Sequence, residues 1–195
     1  MNLINYKLLH ESTVFYEAHG FKRIEVPWTV TKEISAITKP ADRKDFELVH
    51  EDNKVLVASA EQSFLYLYAK GHLPAGSYQG LSPCFRKEPI TIDPTTKALH
   101  SKYFLKNELN QTDATSISDL KSMIDVAFAF FKQYCPEEHL KVVPTGTDTY
   151  DIEFHGIELG SYGIRECSFV KWIYGTGVAE NRFSNALYQH GITVK

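Results

Sequence analysis

The sequence predicts one folded domain that mixes helices and strands, either α/β or α+β. The chain has 195 residues, of which 43% are hydrophobic and 13% aromatic, and this is enough for one substantial core. Segments with alternating apolar residues are interspersed with segments whose apolar residues recur at helical spacing. No internal repeat or low-complexity tract divides the chain. We therefore expect a single continuous unit.

Helical signatures occur in three segments. The opening stretch to about Ala18 has apolar residues at mixed helical spacings, and Gly20 can end that helix as a C-cap. A short helix is predicted for AEQSFLYLYAKGHL, where it ends near Gly71. The clearest signature lies in SISDLKSMIDVAFAFFKQY, an amphipathic packing helix for which Ser116 or Ser118 is available as N-cap.

Strands are predicted where apolar residues alternate between turn residues. The run FKRIEVPW is one such strand, and Pro27 ends it. KVLVAS is a second, and SYQGLSPCFRKE and KYFLKNEL are two more, joined by a polar loop that contains proline. Paired strands around a turn at His155 and Gly156 are predicted for DTYDIEFHGIELGSYG. In WIYGTGVAENRFSNALYQ we expect a strand end, a glycine turn and the start of a helix.

Charge and cysteine content argue against several classes of function. The formal net charge is −3 and the basic clusters are short, which disfavours a surface for long nucleic acids. No run approaches the ~20 apolar residues of a membrane span, and the N-terminus lacks a secretory pattern, so a cytoplasmic location is expected. Cys84, Cys135 and Cys167 cannot all pair and have no CxxC spacing, which indicates a reducing compartment and argues against structural zinc.

Two short stretches carry residues suited to phosphate chemistry. In YGTGVAENR, Gly175 and Gly177 precede Arg182, which is predicted in the first turns of a helix. Glycines let a backbone approach a polyphosphate while a guanidinium binds it, although a Gly-x-Gly turn is often only a tight connection. In CFRKE, Arg86 and Glu88 place a fixed cation and a carboxylate close together on a strand. The alternative for this second pair is a surface ion pair worth under about 1 kcal/mol.

In order and spacing, three segments resemble motifs 1, 2 and 3 of the class II aminoacyl-tRNA synthetase catalytic domain. FKRIEVP, at the end of 15–27, is similar to the motif 1 strand, here closed by Pro27. CFRKE and KYFLKNEL, within 81–109, resemble the motif 2 Phe-Arg-x-Glu hairpin, and GTGVAENR, within 173–188, resembles motif 3 with Ala179 in place of a glycine. The resemblance covers most of the chain. It implies an α+β fold with an antiparallel sheet flanked by helices, as a single domain over 1–195.

Within that family, the segments resemble most the seryl-tRNA synthetases and the ligases that load amino acids onto carrier proteins. LVASAEQSFLYL is similar to the Thr-x-Glu segment of the seryl enzymes, and GTGVAENR to their Gly-Ser-Gly-Leu-Ala motif. CFRKEPITIDP resembles the Cys-Phe-Arg-x-Glu-Pro stretch of the ligases. GIELGSYG resembles the Glu-x-x-Ser element that holds metal in seryl enzymes. Zinc-dependent relatives have a cysteine where this chain has Glu61, so zinc is not expected.

The resemblance implies a role for each matching residue in binding ATP and an amino acid. Arg86 would contact the α-phosphate of a bent ATP, where charge develops during attack, and Arg182 would clamp the γ-phosphate. The other implied contacts are Glu88 and Phe104 with adenine, Gly175 and Gly177 with the phosphates, Glu158 and Ser161 with Mg²⁺, and Ser59, Glu61 and Glu108 with the substrate ammonium. Glu88 is alternatively a brace for Arg86, and Glu108 a metal ligand.

Each of these roles has a purely structural alternative. Phe104 is an ordinary core aromatic in the alternative, as strand aromatics usually are. Glu61 is then a solvated helix residue. Glu158 and Ser161 are then a strand edge and a turn.

The function implied by the resemblance is ATP-dependent activation of an amino acid to an aminoacyl-adenylate, with Mg²⁺ as cofactor. Transfer to a carrier protein or another acceptor is expected, and tRNA less so, because no tRNA-binding arm or anticodon domain is recognised and the charge balance is acidic. A homodimer is expected, because motif 1 lies at the dimer interface in the family. The alternative is a non-catalytic paralogue that binds an amino acid, a nucleotide or a protein partner in a regulatory role.

Overall fold

A computed structural model describes residues 4–39, 47–51, 53–87, 91–92 and 99–193, and these form one mixed domain around a large sheet. The helices are α1 (Tyr6–Ala18), α2 (Lys32–Thr38), α3 (Ala60–Ala69), α4 (Ile117–Phe131) and α5 (Arg182–Gln189). The strands are β1 (Lys22–Arg23), β2 (Thr29–Thr31), β3 (Leu48–Glu51), β4 (Lys54–Leu56), β5 (Ser77–Phe85), β6 (Thr91–Ile92), β7 (Leu99–His100), β8 (Tyr103–Gln111), β9 (Leu140–Gly146), β10 (Thr149–Phe154), β11 (Ile157–Glu166) and β12 (Lys171–Glu180). Among the described residues, no helix has the length and apolar composition that crossing a bilayer requires.

The central sheet has seven strands in the order β1-β5-β8-β12-β11-β10-β9. All neighbouring pairs are antiparallel except β1 and β5, which are parallel. A three-stranded sheet, β2-β4-β3, and the pair β6-β7 lie outside it. The α+β alternative, with a mainly antiparallel sheet flanked by helices in a single domain, is therefore confirmed.

One face of the central sheet is covered by α1, α4 and α5. Tyr16 of α1, Phe130 and Phe131 of α4 and Phe183 of α5 are completely buried in this layer. The rings of Phe131 and Phe183 meet edge to face, with their centroids 5.0 Å apart. Full burial of a large apolar side chain contributes about 1.5–3 kcal/mol, so this aromatic layer holds the three helices on the sheet.

The second face packs against α2, α3 and the three-stranded sheet. Val55 of β4, Leu65 of α3 and Trp172 of β12 form the centre of this smaller cluster and are almost entirely buried. Polar side chains of α3, β8, β11 and β12 lie on the same side of the molecule and line a pocket. The residues that line this pocket are positioned by this layer.

The predicted helices are present with the predicted caps. Helix α4 begins after Ser116, whose side chain accepts from the Asp119 N–H in a capping box. Helix α1 ends at Ala18, and Gly20 follows with φ of 89°. The first predicted strand is shorter than expected, because only Lys22–Arg23 pairs with β5 and the chain leaves the sheet before Pro27.

Some elements were not predicted at all. Helix α2 has only 7 residues, too few to show a helical period. Strand β9 lies at the edge of the sheet, and most of its side chains are exposed. It therefore lacks the alternation of a half-buried strand, and it contains Pro144, which is tolerated at a sheet edge.

Candidate functional site

Arg86 lies at the end of the β5–β8 pair where Phe85 faces Tyr103. Arg86 directly follows β5, so it lies beyond the strand rather than within it. Its Nε donates to the Ala58 carbonyl oxygen at 3.3 Å, and its backbone N–H donates to the Lys102 carbonyl at 2.7 Å. The guanidinium carbon lies 4.8 Å from the centroid of the half-buried Phe104 ring, within the range of a cation–π contact. These contacts hold the cation against the end of the sheet.

Arg86 and Arg182 line the same small pocket, although they come from distant parts of the chain. Arg182 is the first residue of α5, and Phe104 forms part of the wall between the two arginines. The rest of the lining is His100, Ser101, Ala179 and Asn181. The cavity measures about 10 Å³, the volume of about one water molecule. A larger ligand would require some of the residues that line this cavity to move.

Arg182 forms an ion pair with Glu158, with Nη1 and Oε1 2.5 Å apart. Glu158 and Ser161 both lie on β11, which has β10 on one side and β12 on the other. Both residues lie within a strand rather than in a turn, but the register of β11 with β12 covers only Tyr162–Glu166, so Glu158 and Ser161 pair with β10 alone. Across the β10–β11 pair, Asp151 is the register partner of Ser161.

The carboxylate of Asp151 is affected by the neighbouring charge of Glu158. Burial and the negative charge of Glu158 raise the pKa of Asp151 to about 6, against a hydrogen bond from Ser161 that lowers it. Two carboxylates and a hydroxyl are oxygen donors of the kind that Mg²⁺ prefers. Within the described part of the chain, however, no group of three or more His, Cys, Asp or Glu residues is placed to hold a metal ion.

A second, larger pocket of about 250 Å³ shares Arg86 with the first. It contains all three residues predicted to contact an amino acid, Ser59, Glu61 and Glu108. The other lining residues are Thr38, Lys39, Ala58, Gln62, Lys106, Ser161, Arg165 and Tyr174. Most of these side chains are polar or charged, so the pocket suits a polar ligand.

Glu108 is a buried carboxylate held in a fixed position. Only 1% of the residue is exposed. Its Oε2 accepts from the Ser59 hydroxyl at 2.8 Å, and its Oε1 accepts from Lys106 Nζ at 3.0 Å. Ser59 in turn caps α3 by accepting from the Glu61 N–H. The two predicted ligand contacts, Ser59 and Glu108, are therefore adjacent and directly hydrogen-bonded.

Glu61 lies in the same pocket but is already bound by protein groups. It accepts from Arg165 Nη1 at 2.9 and 2.7 Å, and from Trp172 Nε1 at 2.8 Å. Burial raises the pKa of Glu61, and the Arg165 charge opposes that rise. The alternative of a solvated helix residue is wrong, because Glu61 is 5% exposed. An ammonium group would reach this carboxylate only in competition with Arg165.

Gly175 and Gly177 do not form a turn, which corrects the prediction. Both lie inside β12, which continues to Glu180 before α5 begins. A Cβ at Gly175 would lie 2.7 Å from the sulfur of Met123, and one at Gly177 would lie 2.9 Å from the Asn107 carbonyl oxygen. The glycines are therefore required for close packing of the sheet, and neither residue lines either pocket among the described residues.

Lys106, Arg165, Trp172 and Asp151 were missed by sequence reasoning. For Lys106 a signal existed, because residues two apart on a strand share a face and Lys106 stands midway between Phe104 and Glu108. The pairing of Arg165 with Glu61 had no local signal, because 104 residues separate them. Glu88, predicted beside Arg86, lies outside the described residues.

No protein-family model matches the chain, and no curated protein sequence matches it. Solved structures do match. A pyrrolysyl-tRNA synthetase from Desulfitobacterium hafniense superposes with a TM-score of 0.73 at 15% identity, over 96% of this chain and 69% of that one.

Two enzymes that join serine to tRNA also have structures similar to this chain. Seryl-tRNA synthetase from Pyrococcus horikoshii, solved with ATP, superposes with a TM-score of 0.69 at 22% identity, over 92% of this chain and 48% of that one. Cytoplasmic serine-tRNA ligase from Naegleria fowleri, solved with AMP, superposes with a TM-score of 0.67 at 19% identity, over 90% of this chain and 51% of that one. The chain thus spans about half the length of these two proteins.

Proposed function

We propose that this chain, which has the fold of the class II aminoacyl-tRNA synthetase catalytic domain, uses ATP to activate an amino acid as its adenylate. The observation that carries the proposal is the position of Arg86, which lines both pockets. On one side it shares a pocket with Arg182, and on the other with Ser59 and Glu108. A nucleotide and an amino acid in these pockets would meet at Arg86, where their reacting groups must be brought together.

In the proposed reaction, a carboxylate oxygen of the amino acid attacks the α-phosphorus of ATP in line. A new bond forms between that oxygen and the α-phosphorus, the bond from the α-phosphorus to the bridging oxygen breaks, and pyrophosphate leaves. Arg86 stabilises the negative charge that builds on the α-phosphoryl oxygens, because its guanidinium is oriented before the reaction begins. Ser59 and Glu108 orient the substrate ammonium.

Nucleotide binding requires two local rearrangements. Arg182 would exchange some of its contact with Glu158 for the γ-phosphate of ATP. Adenine would stack on Phe104, and since Arg86 covers one face of that ring, the guanidinium moves or adenine takes the other face. Both changes would enlarge the cavity of about 10 Å³ between the arginines.

Mg²⁺ suits the oxygen donors beside Arg182. Mg²⁺ commonly binds through one or two carboxylates together with substrate phosphates, so Glu158 and Ser161, with Asp151 facing them, would hold it without a full set of protein ligands. When bound, the ion would neutralise charge on the phosphates. Glu158 would then balance both the ion and Arg182.

The acceptor of the activated amino acid is proposed to be a carrier protein or another acceptor, with tRNA less expected. The formal net charge of −3 gives little support to tRNA binding, because nucleic acid affinity depends on many Lys and Arg contacts to phosphate. Native gel shifts with bulk tRNA at moderate salt are expected to show no stable complex.

A homodimer is proposed through the surface around Pro27. An open groove of about 660 Å³ is lined by Arg23, Ile24, Glu25, Val26, Pro27, Trp28, Thr29 and Leu81. Trp28 is 58% exposed there, so its indole is accessible to a partner. A symmetric partner would cover this indole.

Pyrophosphate exchange into ATP, measured with each of the twenty amino acids, tests the proposed activity. Exchange that depends on one amino acid or a few related ones is expected, and no exchange with any of them would reject the activity. The second candidate function is a non-catalytic binding protein. The observation that favours it is the Arg182–Glu158 ion pair, which occupies the guanidinium proposed for ATP. Retained ligand binding without exchange would support this second candidate.

A further inference from the structure

Arg165 is a charged residue of the larger pocket that has no role in the proposed reaction. It extends from β11, two positions from Gly163 and four from Ser161, so Ser161 and Arg165 share a face of the strand. Its side chain is 41% exposed, whereas that of its partner Glu61 is 6% exposed. The guanidinium carbon lies 4.1 Å from the centroid of the Tyr174 ring. A stacked guanidinium with a buried counter-ion has little freedom to turn.

The hydrogen bonds of Arg165 use only one side of its guanidinium. Both bonds to Glu61 leave from Nη1. In the part of the chain that the structure describes, Nη2 and Nε of Arg165 have no hydrogen-bond acceptor. Guanidinium donors lie in one plane, and the pair formed by Nε and Nη2 matches the two oxygens of a carboxylate.

The carboxylate of Glu61 is less suited than Arg165 to bind a ligand in this pocket. Its Oε1 accepts from both Arg165 and Trp172, and its Oε2 accepts from Arg165. A cationic ligand side chain would approach Arg165 and be repelled. An apolar one would cover Nη2 and Nε without replacing their bonds to water, which costs about 1–3 kcal/mol.

We propose that Arg165 is a specificity-determining residue and that the pocket takes an amino acid whose side chain ends in an acceptor oxygen, a carboxylate or a carboxamide. This rests on the proposed function, in which Arg86 receives the α-carboxylate and Ser59 with Glu108 the ammonium. Arg165 contacts a different set of residues from Arg86. Its guanidinium would therefore bind the side chain of the amino acid rather than its α-carboxylate. Charge-assisted bonds favour the carboxylate over the carboxamide.

Calorimetric titration of the full chain with aspartate, glutamate, asparagine, glutamine and leucine tests this directly, without requiring catalysis. We expect the dicarboxylic amino acids to bind at least about tenfold more tightly than leucine, the value of one charge-assisted bond. Tighter binding of asparagine or glutamine than of leucine would also support the proposal, and it would show that the pocket takes a side-chain carboxamide. Equal or tighter binding of leucine, or binding of none at millimolar concentration, would overturn it.

Variants of Arg165 separate specificity from folding. Arg165→Lys keeps the charge opposite Glu61 but loses the planar pair of donors, so the preference for glutamate over leucine is expected to be smaller than in the unmodified chain. Glu61→Gln with Arg165→Gln removes both charges together and avoids an unpaired buried carboxylate; it is expected to lose the preference. Lys132→Gln, in the exposed pair with Glu137, is the control and should bind as the unmodified chain does.

Failure of this inference and failure of the proposed function give different results. Selective binding of acidic or amide amino acids without pyrophosphate exchange leaves the specificity assignment intact and rejects the activity. Exchange driven by apolar amino acids supports the activity and rejects the role of Arg165. A preference for glutamate that survives undiminished in the double variant Glu61→Gln with Arg165→Gln also rejects it.

Discussion

Arg86 lines both pockets, so its replacement is expected to affect the nucleotide and the amino acid together. Arg86→Ala removes the positive charge proposed at the α-phosphate, and loss of one such preorganised donor typically slows a reaction about 10²–10³-fold. The measurement is the rate of amino-acid-dependent pyrophosphate exchange at saturating substrates. Lys132→Gln should leave the rate unchanged, and an Arg86→Ala rate equal to that of the unmodified chain would remove Arg86 from the mechanism.

Glu61 is expected to matter for stability whatever its role in binding. Glu61→Ala leaves the Trp172 indole N–H buried without an acceptor and Arg165 without its counter-ion. We expect the free energy of unfolding to fall by about 3 kcal/mol, the lower end for a broken buried pair, because Arg165 remains half-exposed to water. Urea denaturation gives this value.

The exposed pair of Lys132 and Glu137 provides the comparison for Glu61. Glu137→Ala should cost under about 1 kcal/mol, because water screens a surface ion pair. If the two substitutions changed the free energy of unfolding equally, the Glu61 network would not be a buried one.

Individual site residues could be predicted from the sequence where they lie in short motifs. Arg86, Arg182 and Glu108 were chosen because the order of three segments resembled a known catalytic domain, and the structure brings all three to the two pockets. Arg165 could not be found that way, because its partner Glu61 lies on α3 and only the folded sheet brings β11 to that helix.

Strand β12 passes between the helical layer and the pockets, and its glycines set how closely neighbouring groups approach. Gly177→Ala would place a Cβ 2.9 Å from the Asn107 carbonyl oxygen and 2.9 Å from the ring of the buried Tyr16. Neither group can move without shifting a strand or the helical layer, so we expect a loss of about 1–3 kcal/mol in the free energy of unfolding.

Gly146→Ala is the matched comparison for Gly177→Ala in β12. There the added Cβ meets only the side-chain oxygen of Thr149, on an exposed hairpin, and that side chain can rotate away. Thermal unfolding should show a clear drop in Tm for Gly177→Ala and almost none for Gly146→Ala. Equal shifts would mean that the close approach in β12 carries no cost.

At the level of elements, the sequence predicted the helices better than the end of the sheet. Helices α3 and α4 carry their own local signals, an N-cap serine and a three-to-four residue period. The Gly-x-Gly of β12 carries the local signal of a turn, yet tertiary packing against Tyr162 and Tyr16 makes it a strand. These packing contacts join residues that are distant in the sequence, so the residues next to the glycines could not predict them.

A second copy is proposed to cover the groove around Trp28, whose lining combines apolar residues with Arg23 and Glu25. Trp28→Glu introduces a charge into that groove, and the Trp28 side chain is 58% exposed, so folding of the monomer should be unaffected. Light scattering after gel filtration is expected to give twice the chain mass for the unmodified protein and the chain mass for the variant. An unmodified protein that runs as a monomer would contradict the proposed interface.

The central claim is that Arg86 and Arg182, which share one pocket, bind opposite ends of a single triphosphate. Calorimetric titration with ATP and with AMP, on the unmodified chain and on Arg182→Ala, tests it most directly. The account predicts that the unmodified chain prefers ATP to AMP by about tenfold or more, and that Arg182→Ala abolishes this preference while still binding AMP. An unchanged preference for ATP in Arg182→Ala, or no nucleotide binding by the unmodified chain, would contradict it.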